Sequence, residues 1–314
     1  MGRESFNLWK TVADRFAPLV FLLVLIVVLS TSTGGFASWT NLLNVARQHA
    51  IIIVLAIGQT MVMISGGIDL SVGSVMALAG VVVGVTSGLL PFGFCVVLGL
   101  LVGGVCGLIN GVVTTKARVP AFIATLGMMG MARGVGLVLS GGVSISLPPF
   151  VTEWTAAHSF FLAVLFIVLM LVVAFGAHVV LAWTSLGRHN YAVGGNREAA
   201  RLSGINIDRH LVTVFTINGF IAGLAGMMML GYITVADPTA GEGYELDSVA
   251  AAVIGGTSLF GGRGSVGGTV VGGFILAVLR NGCDLRNISE HWQRFVVGLM
   301  TVVAVFYDRI RRRE

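Results

Sequence analysis

The amino-acid sequence predicts an all-α protein that crosses a membrane several times. Hydrophobic residues make up 56% of the 314 positions, and only 11% of the residues are charged. Soluble domains carry roughly 25% charged residues. The mean hydropathy is +0.94, and the apolar residues form runs close to the ~20 residues that an α-helix needs to cross a bilayer. These observations exclude an ordinary soluble domain.

A window of roughly 20 residues locates about ten candidate segments along the chain. In chain order they are 16–32, 43–65, 71–90, 92–115, 121–140, 159–183, 211–235, 246–260, 264–280 and 293–307. The first follows a basic stretch but precedes no small-residue cleavage site, so we interpret it as a retained span. The eighth and tenth are short, and short or broken segments often mark irregular backbone that lines a pathway. We predict one transmembrane unit over residues 1–314.

The positive charges predict how these segments are oriented. Lys and Arg accumulate in the cytoplasmic loops of membrane proteins. If both termini are cytoplasmic, 14 of the 19 Lys and Arg residues fall on the inner side and four on the outer side. This arrangement requires an even number of crossings, and ten satisfies it.

Glycines recur every four positions in the fourth and ninth segments. They are Gly99, Gly103, Gly107 and Gly111, then Gly264, Gly268 and Gly272. This spacing places them on one face of a helix, where two backbones can approach closely. We expect close helix packing at both places.

Patterns that would carry catalysis or bind a metal do not occur in the sequence. There is no GxxxxGK[ST] phosphate loop, no HExxH motif and no Ser/His/Asp set. The three cysteines lack metal-ligand spacing, and the basic residues are scattered between apolar runs. We therefore expect no enzyme activity, no metal site and no nucleic-acid partner, with the lipid bilayer as the surroundings of the chain.

The largest polar loop covers residues 184–210, between the sixth and seventh segments. Asn196 can cap a short helix that carries Glu198 in its first turn, and Gly204 can end that helix in a left-handed turn. A short helix held between two spans on the cytoplasmic side suits the docking of a partner. An ordinary polar connector that keeps Arg residues inside is an equal alternative.

A second polar stretch, ISGGIDLSVGS, separates the second and third segments. Gly66 and Gly67 can break the outgoing helix, while Asp69 and Ser71 can cap the next one. About 22 residues of the second segment already exhaust the bilayer. We therefore expect a hydrated Asp69 near the cytoplasmic face, within a capped hinge at the inner mouth of the protein.

Few polar groups lie inside the predicted segments. Arg133 is about two-thirds of the way through the fifth segment, and an intramembrane cation is a functional-site hypothesis by default. We favour a structural pair with Glu245 or Asp247; snorkelling to the outer headgroups is the alternative. Four uncharged side chains can offer hydrogen bonds along a pathway or between helices: Gln59, Asn110, Thr125 and Asn218.

Several stretches carry a family resemblance. GGNREAARLSGI resembles the coupling loop of ABC importer permeases, whose EAA-then-glycine pattern matches Glu198, Ala199, Ala200 and Gly204. ISGGIDLSVGS, VPAFIATLGMMGMARG and PTAGEGYELDSVAAAVIGGTSLFGGRGS resemble the monosaccharide permeases of the ribose, xylose and arabinose type. The similarity runs from about residue 16 to about residue 310.

The resemblance implies a sugar permease of the bacterial inner (plasma) membrane with no ATPase motif of its own. It implies a second permease copy or paralogue as dimer partner, cytoplasmic ATP-binding subunits that hold ATP and Mg, and a periplasmic or extracellular sugar-binding protein. ATP-driven movement would pass through the 184–210 loop, and the sugar through a channel at the dimer axis. The implied coupling residues are Gly194, Gly195, Asn196, Glu198, Ala199, Ala200 and Gly204.

Two loops on the predicted outer side are candidates to dock the binding protein. Complementary charge mainly tunes association rate and register. The candidate residues are Glu242, Glu245, Asp247, Arg280 and Arg286. For any single one of them, a solvated loop residue is the simpler alternative.

Two other functions stay open. A secondary transporter driven by an ion gradient would use Asp69 and Arg133 as its coupling-ion or proton site. An ABC importer of another hydroxylated solute, such as a sugar-derived signalling molecule, fits the same motifs. For a sugar we expect no tight site in this chain, because tight binding would slow release along a conduction pathway.

Overall fold

The computed structural model describes residues 2–311, with side chains described for 17–306 and 308–310. This part of the chain forms thirteen α-helices and one two-stranded sheet. The helices are α1 (Gly2–Ser32), α2 (Trp39–Ile64), α3 (Val72–Thr86), α4 (Phe92–Thr115), α5 (Ala121–Ser140), α6 (Pro149–Ala157), α7 (Ser159–Trp183), α8 (Ser185–Gly195), α9 (Arg197–Leu202), α10 (Ile207–Ile233), α11 (Tyr244–Ile254), α12 (Val266–Asp284) and α13 (Glu290–Arg311). The strands are β1 (Ile145–Ser146) and β2 (Val235–Ala236).

Each of the ten predicted segments overlaps a helix, and α4, α5 and α7 have the predicted bounds. Within the described residues, α2, α4, α5, α7, α10 and α12 are long and apolar enough to cross a membrane. The all-α polytopic membrane class is therefore confirmed. The number of ten crossings and the cytoplasmic position of the termini stay predictions.

The third and eighth segments are shorter than predicted. α3 has 15 residues and α11 has 11, which correspond to about 22 and 16 Å against about 30 Å of hydrocarbon. Their N-terminal ends meet, because a Cβ added to Gly73 in α3 would lie 2.7 Å from a carboxylate oxygen of Glu245 in α11. The spans 71–90 and 246–260 are thus corrected to two helices that are shorter than the hydrocarbon core.

The connections contain elements that the hydropathy pattern did not separate. β1 pairs antiparallel with β2, with Ile145 opposite Ala236, and so joins the chain after α5 to the chain after α10. The polar 184–210 loop is mostly two helices, α8 and α9. Only the shorter of these two helices was expected.

The centre of the molecule is α2. Residues 49–65 are all buried, and the helix packs against α7, α10, α11 and α12. A helix that is apolar on every side belongs in the interior of a bundle. Protein, and not lipid, therefore surrounds most of α2.

Glycines allow the closest helix contacts. A Cβ on Gly103 or Gly107 of α4 would overlap a backbone carbonyl oxygen of α10. In α12, a Cβ on Gly272 would overlap a carbonyl oxygen of α11, and a Cβ on Gly268 would overlap that of the residue capping the end of α11. The predicted close packing is confirmed for these positions. Gly264 is different, because it precedes the start of α12 and does not belong to its glycine face.

Candidate functional site

The chain breaks between α2 and α3 as the glycines predict. α2 ends at Ile64, and Gly66 has a φ of +82°. This left-handed turn lets the Gly66 and Gly67 amides donate to the carbonyls of Met63 and Val62 at 2.9 and 3.1 Å. These two bonds satisfy carbonyls that the end of a helix would otherwise leave free.

Asp69 is buried rather than hydrated, so the expectation of a surface carboxylate is wrong. Its exposure is 2%. Oδ1 accepts hydrogen bonds from the Ser71 amide at 2.8 Å and the Ser71 hydroxyl at 2.6 Å, and Oδ2 accepts one from the Asn218 amide at 2.9 Å. The carboxylate tolerates burial because these donors replace water. Ser71 is the N-cap residue of α3, but its hydroxyl makes no capping bond to the helix.

The polar side chains that the sequence singled out converge on this break. Asn110 of α4 donates to the Ser71 hydroxyl at 2.9 Å, and Thr125 of α5 donates to the Ile68 carbonyl at 3.2 Å. Gln59 of α2 matches the backbone of Asp69 when the oxygen and nitrogen of its side-chain amide are exchanged. In that orientation it donates to the Asp69 carbonyl and accepts from the Asp69 amide, both at 3.1 Å. The group is termed the Asp69 network and comprises Gln59, Asp69, Ser71, Asn110, Thr125 and Asn218.

The Asp69 network is fully enclosed by protein. Each of its six residues is buried, and the network joins the α2–α3 segment to α4, α5 and α10. The contacts favour helix pairing over the lining of an open pathway. One acceptor, Oδ1 of Asn218, is buried without a hydrogen-bond partner.

Arg133 is held by backbone carbonyls, so the favoured pair with Glu245 or Asp247 is wrong. Its guanidinium donates to the carbonyl oxygens of Pro238 and Ala240. Asp247 pairs instead with Arg280 at 2.6 Å, and Oε2 of Glu245 is buried without a hydrogen-bond partner. Arg133 therefore fixes the loop between β2 and α11 against α5.

The charged residues predicted to dock an external partner are used mostly inside the molecule. The Arg280–Asp247 pair joins α12 to α11, with side-chain exposures of only 20% and 11%. Arg286 donates to the hydroxyls of Ser32 and Thr33 at the end of α1, at 2.7 and 3.1 Å. Glu242 is exposed. For the other residues of the set, a docking role competes with these structural contacts.

The short helix expected in the 184–210 loop is present as α9. Oδ1 of Asn196 accepts from the Ala199 amide at 3.0 Å, and Gly204 has a φ of +83°. The amides of Gly204 and Ile205 donate back to the last turn of α9, at 3.0 and 3.1 Å. The predicted cap and left-handed stop are therefore confirmed.

α9 combines a buried anchor with an exposed surface. Ala200 packs in a small apolar cluster with Val193 and Leu211, while Glu198 pairs with Arg201 at 2.7 Å on the exposed side. Leu202 is 79% exposed. Every residue of α9 except Ala200 is exposed, so the helix is anchored by one side chain and accessible on the rest of its surface.

Sequence reasoning missed α8, which attaches α9 to the bundle. Asn190 is buried and donates to the Met61 carbonyl at 2.8 Å, and the Tyr191 hydroxyl donates to the Gly264 carbonyl at 2.9 Å. Burial raises the pKa of Tyr191, so this hydroxyl keeps its proton. The sequence feature that could have revealed α8 is Thr184. Its hydroxyl caps the start of α8 by accepting a hydrogen bond from the Gly187 amide at 3.3 Å.

No group of three or more His, Cys, Asp or Glu side chains in the described part of the chain could hold a metal ion. The chemistry that the arrangement offers is hydrogen bonding between helices and an exposed helical surface at the 184–210 loop.

Comparison with known protein families matches residues 41–305 to the family described as branched-chain amino acid transport system / permease component. The chain belongs to this permease family. It is 40% identical to the ribose import permease protein of Escherichia coli (strain K12), over 98% of this chain and 97% of that protein. It is 39% identical to the ribose import permease protein of Bacillus subtilis (strain 168), over 95% of this chain and 94% of that protein. No solved structure matches it.

Further similarity extends to a permease named for another sugar. The chain is 32% identical to the xylose transport system permease protein of Escherichia coli (strain K12), over 100% of this chain and 95% of that protein. The resemblance to monosaccharide permeases is therefore confirmed. The permease is a transport subunit of the membrane rather than an enzyme.

Proposed function

We propose that this permease is the membrane-spanning subunit of an ATP-binding-cassette importer that carries a monosaccharide into the cytoplasm. The observation that carries the proposal is full-length similarity to import permeases named for ribose, together with those named for D-allose, fructose and xylose. These sugars share many hydroxyl groups and no charge. The exposed α9 supplies a surface for the separate ATPase subunits.

The proposed assembly contains several chains. The permease, one unit over residues 1–314 in the bacterial inner (plasma) membrane, pairs with a second copy or a paralogue. Cytoplasmic ATP-binding subunits hold ATP and Mg, and an external sugar-binding protein delivers the substrate. Glu242 is our leading contact for that protein, because it is exposed, whereas Arg286, which is also exposed, already binds the end of α1.

The internal contacts support the proposed orientation, with both termini cytoplasmic and about ten segments, two of them shorter than the hydrocarbon core. Lys116 after α4 pairs with Asp208 at the start of α10, at 3.2 Å. Arg286, in the loop after α12, donates to Ser32 at the end of α1. The charge distribution assigns both of these positions to the outer side. Both pairs join loops that the charge distribution assigns to the same side.

An ion-coupled secondary transporter is not favoured. Such a transporter would need Asp69 and Arg133 in one site, whereas Asp69 bonds Ser71 and Asn218 and Arg133 bonds backbone carbonyls. Import of another hydroxylated solute, such as a sugar-derived signalling molecule, stays compatible with the fold.

The role of α9 is tested by Leu202→Ser. We expect this variant to fold normally and to lose co-purification with the ATP-binding subunits, because an exposed apolar contact is removed. Leu89→Ser is the matched control, since Leu89 is 82% exposed and lies in the loop after α3, which the proposed orientation places outside. Equal recovery of the ATP-binding subunits with both variants would contradict the docking role of α9.

The substrate class is tested by an uptake panel. The assembled transporter is supplied with its binding protein and with labelled ribose, xylose, D-allose and fructose, and with leucine because of the family description. We expect uptake of at least one sugar and none of leucine. Uptake of leucine alone would overturn the sugar assignment.

A further inference from the structure

Three stretches of backbone meet beside α9 without an intervening side chain. The Gly262 amide, in the loop between α11 and α12, donates to the carbonyl of Ile64 at the end of α2 at 2.9 Å. A Cβ on Gly194, near the end of α8, would overlap the same carbonyl oxygen and lie 2.6 Å from the Gly262 nitrogen. A Cβ on Gly261 would lie 3.0 Å from the Cα of Gly66. We term this contact of Ile64, Gly66, Gly194, Gly261 and Gly262 the backbone junction.

Side chains of α8 reinforce the backbone junction on both sides. The side-chain amide of Asn190 donates to the carbonyl of Met61 in the last turn of α2, and its Oδ1 lies 2.9 Å from Nε2 of His210 in α10. Tyr191 donates to Gly264, in the loop that also supplies Gly262. α8 is therefore hydrogen-bonded to α2, to α10 and to the α11–α12 loop.

The backbone junction lies between the exposed α9 and the buried Asp69 network. Only Asn196 separates α8 from α9, so a displacement of α9 acts directly on Gly194. On the other side, the chain runs from Ile64 through Gly66 to Asp69. The Asp69 carboxylate is hydrogen-bonded to α10, and the hydroxyl of Ser71 links it to α4.

We propose that the backbone junction passes movement of α9 to the α2–α3 segment, and that Gly194 is its positioning residue. The proposal rests on the proposed function, in which ATP-binding subunits move α9. Packed interiors transmit displacements because they contain few voids. With no side chain in between to reorient, a shift of α8 must move the Ile64 carbonyl or break its bond to Gly262.

The experiment measures amide hydrogen exchange in residues 62–72 of the complete transporter, with and without a non-hydrolysable ATP analogue. We expect the analogue to change exchange in this segment of the unmodified permease. Gly194→Ala should abolish that difference and sugar uptake. Gly267→Ala at the start of α12 is the matched control, because no atom lies within 4 Å of its added Cβ, and it should behave like the unmodified protein.

A second variant keeps the test decisive if Gly194→Ala prevents assembly. Asn190→Leu removes the hydrogen bond to Met61 without adding an atom at the Gly194 contact, and we expect it to reduce the nucleotide-dependent exchange difference in an assembled complex. The same difference in both assembled variants as in the unmodified permease would overturn the proposal, as would no difference in the unmodified transporter. By contrast, failure of the ATP-binding subunits to join the unmodified permease would overturn the proposed function itself.

Discussion

Asp69 shows what the sequence alone reveals about a single residue and what it does not. The sequence identifies the carboxylate, its flanking glycines and the four uncharged polar side chains of α2, α4, α5 and α10. It does not reveal that they meet, because Asp69 and Asn218 are 149 positions apart. It also suggested hydration, because counting residues along one helix ignores the neighbouring helices that cover the break.

Substitutions at Asp69 should separate hydrogen bonding from charge. Asp69→Asn keeps the side-chain volume, and the unpartnered Oδ1 of Asn218 can accept from the new amide after the Asn218 amide rotates. We expect a loss of less than about 1 kcal/mol for Asp69→Asn, and of about 1–3 kcal/mol for Asp69→Leu, which leaves buried donors unpaired. Thermal unfolding in detergent measures both losses.

Neither Asp69 variant should alter which sugar is carried, because the network is enclosed by protein. An Asp69→Leu permease as stable as the unmodified protein would contradict the structural role. A change of sugar preference in Asp69→Asn with ATP coupling intact would instead place Asp69 in the transport pathway.

At the scale of elements, uninterrupted apolar runs were the easiest to predict. The bounds of α4, α5 and α7 follow from hydropathy alone, because polar or proline-containing turns flank each run. α3 and α11 were overestimated for a physical reason. Most of their apolar residues are buried against other helices, so these helices do not need the length that a lipid-facing span needs. A hydropathy window cannot distinguish burial in protein from burial in lipid.

The contact between α4 and α10 should depend on its glycines. Gly107→Ala places a Cβ against the Phe215 carbonyl, and we expect a loss of about 1–3 kcal/mol from overpacking. In Gly127→Ala on α5, the added Cβ meets no atom within 4 Å. We expect this variant to be more stable than the unmodified protein by no more than about 1 kcal/mol. Thermal unfolding of the two variants makes the comparison. Equal losses would show that the α4–α10 contact does not require glycine.

At the scale of the whole molecule, the charge bias predicts orientation, which can be measured by labelling. Ser203 follows α9, and Val143 lies in the loop after α5; both are exposed. In a chain with Cys283→Ser, we expect Ser203→Cys to react with a membrane-impermeant maleimide only from the cytoplasmic side and Val143→Cys only from outside. The remaining cysteines, Cys95 and Cys106, are buried. Labelling of both positions from the same side would contradict the proposed orientation.

The central claim is that separate ATPase subunits drive sugar import through this permease, and ATP-dependent uptake tests it most directly. Proteoliposomes would hold the permease with its ATP-binding subunits, supplied with ATP on the side of α9 and with loaded binding protein on the opposite side. We predict sugar accumulation that requires hydrolysable ATP and persists when a protonophore collapses the proton gradient. Accumulation without ATP, abolished by the protonophore, would contradict the account.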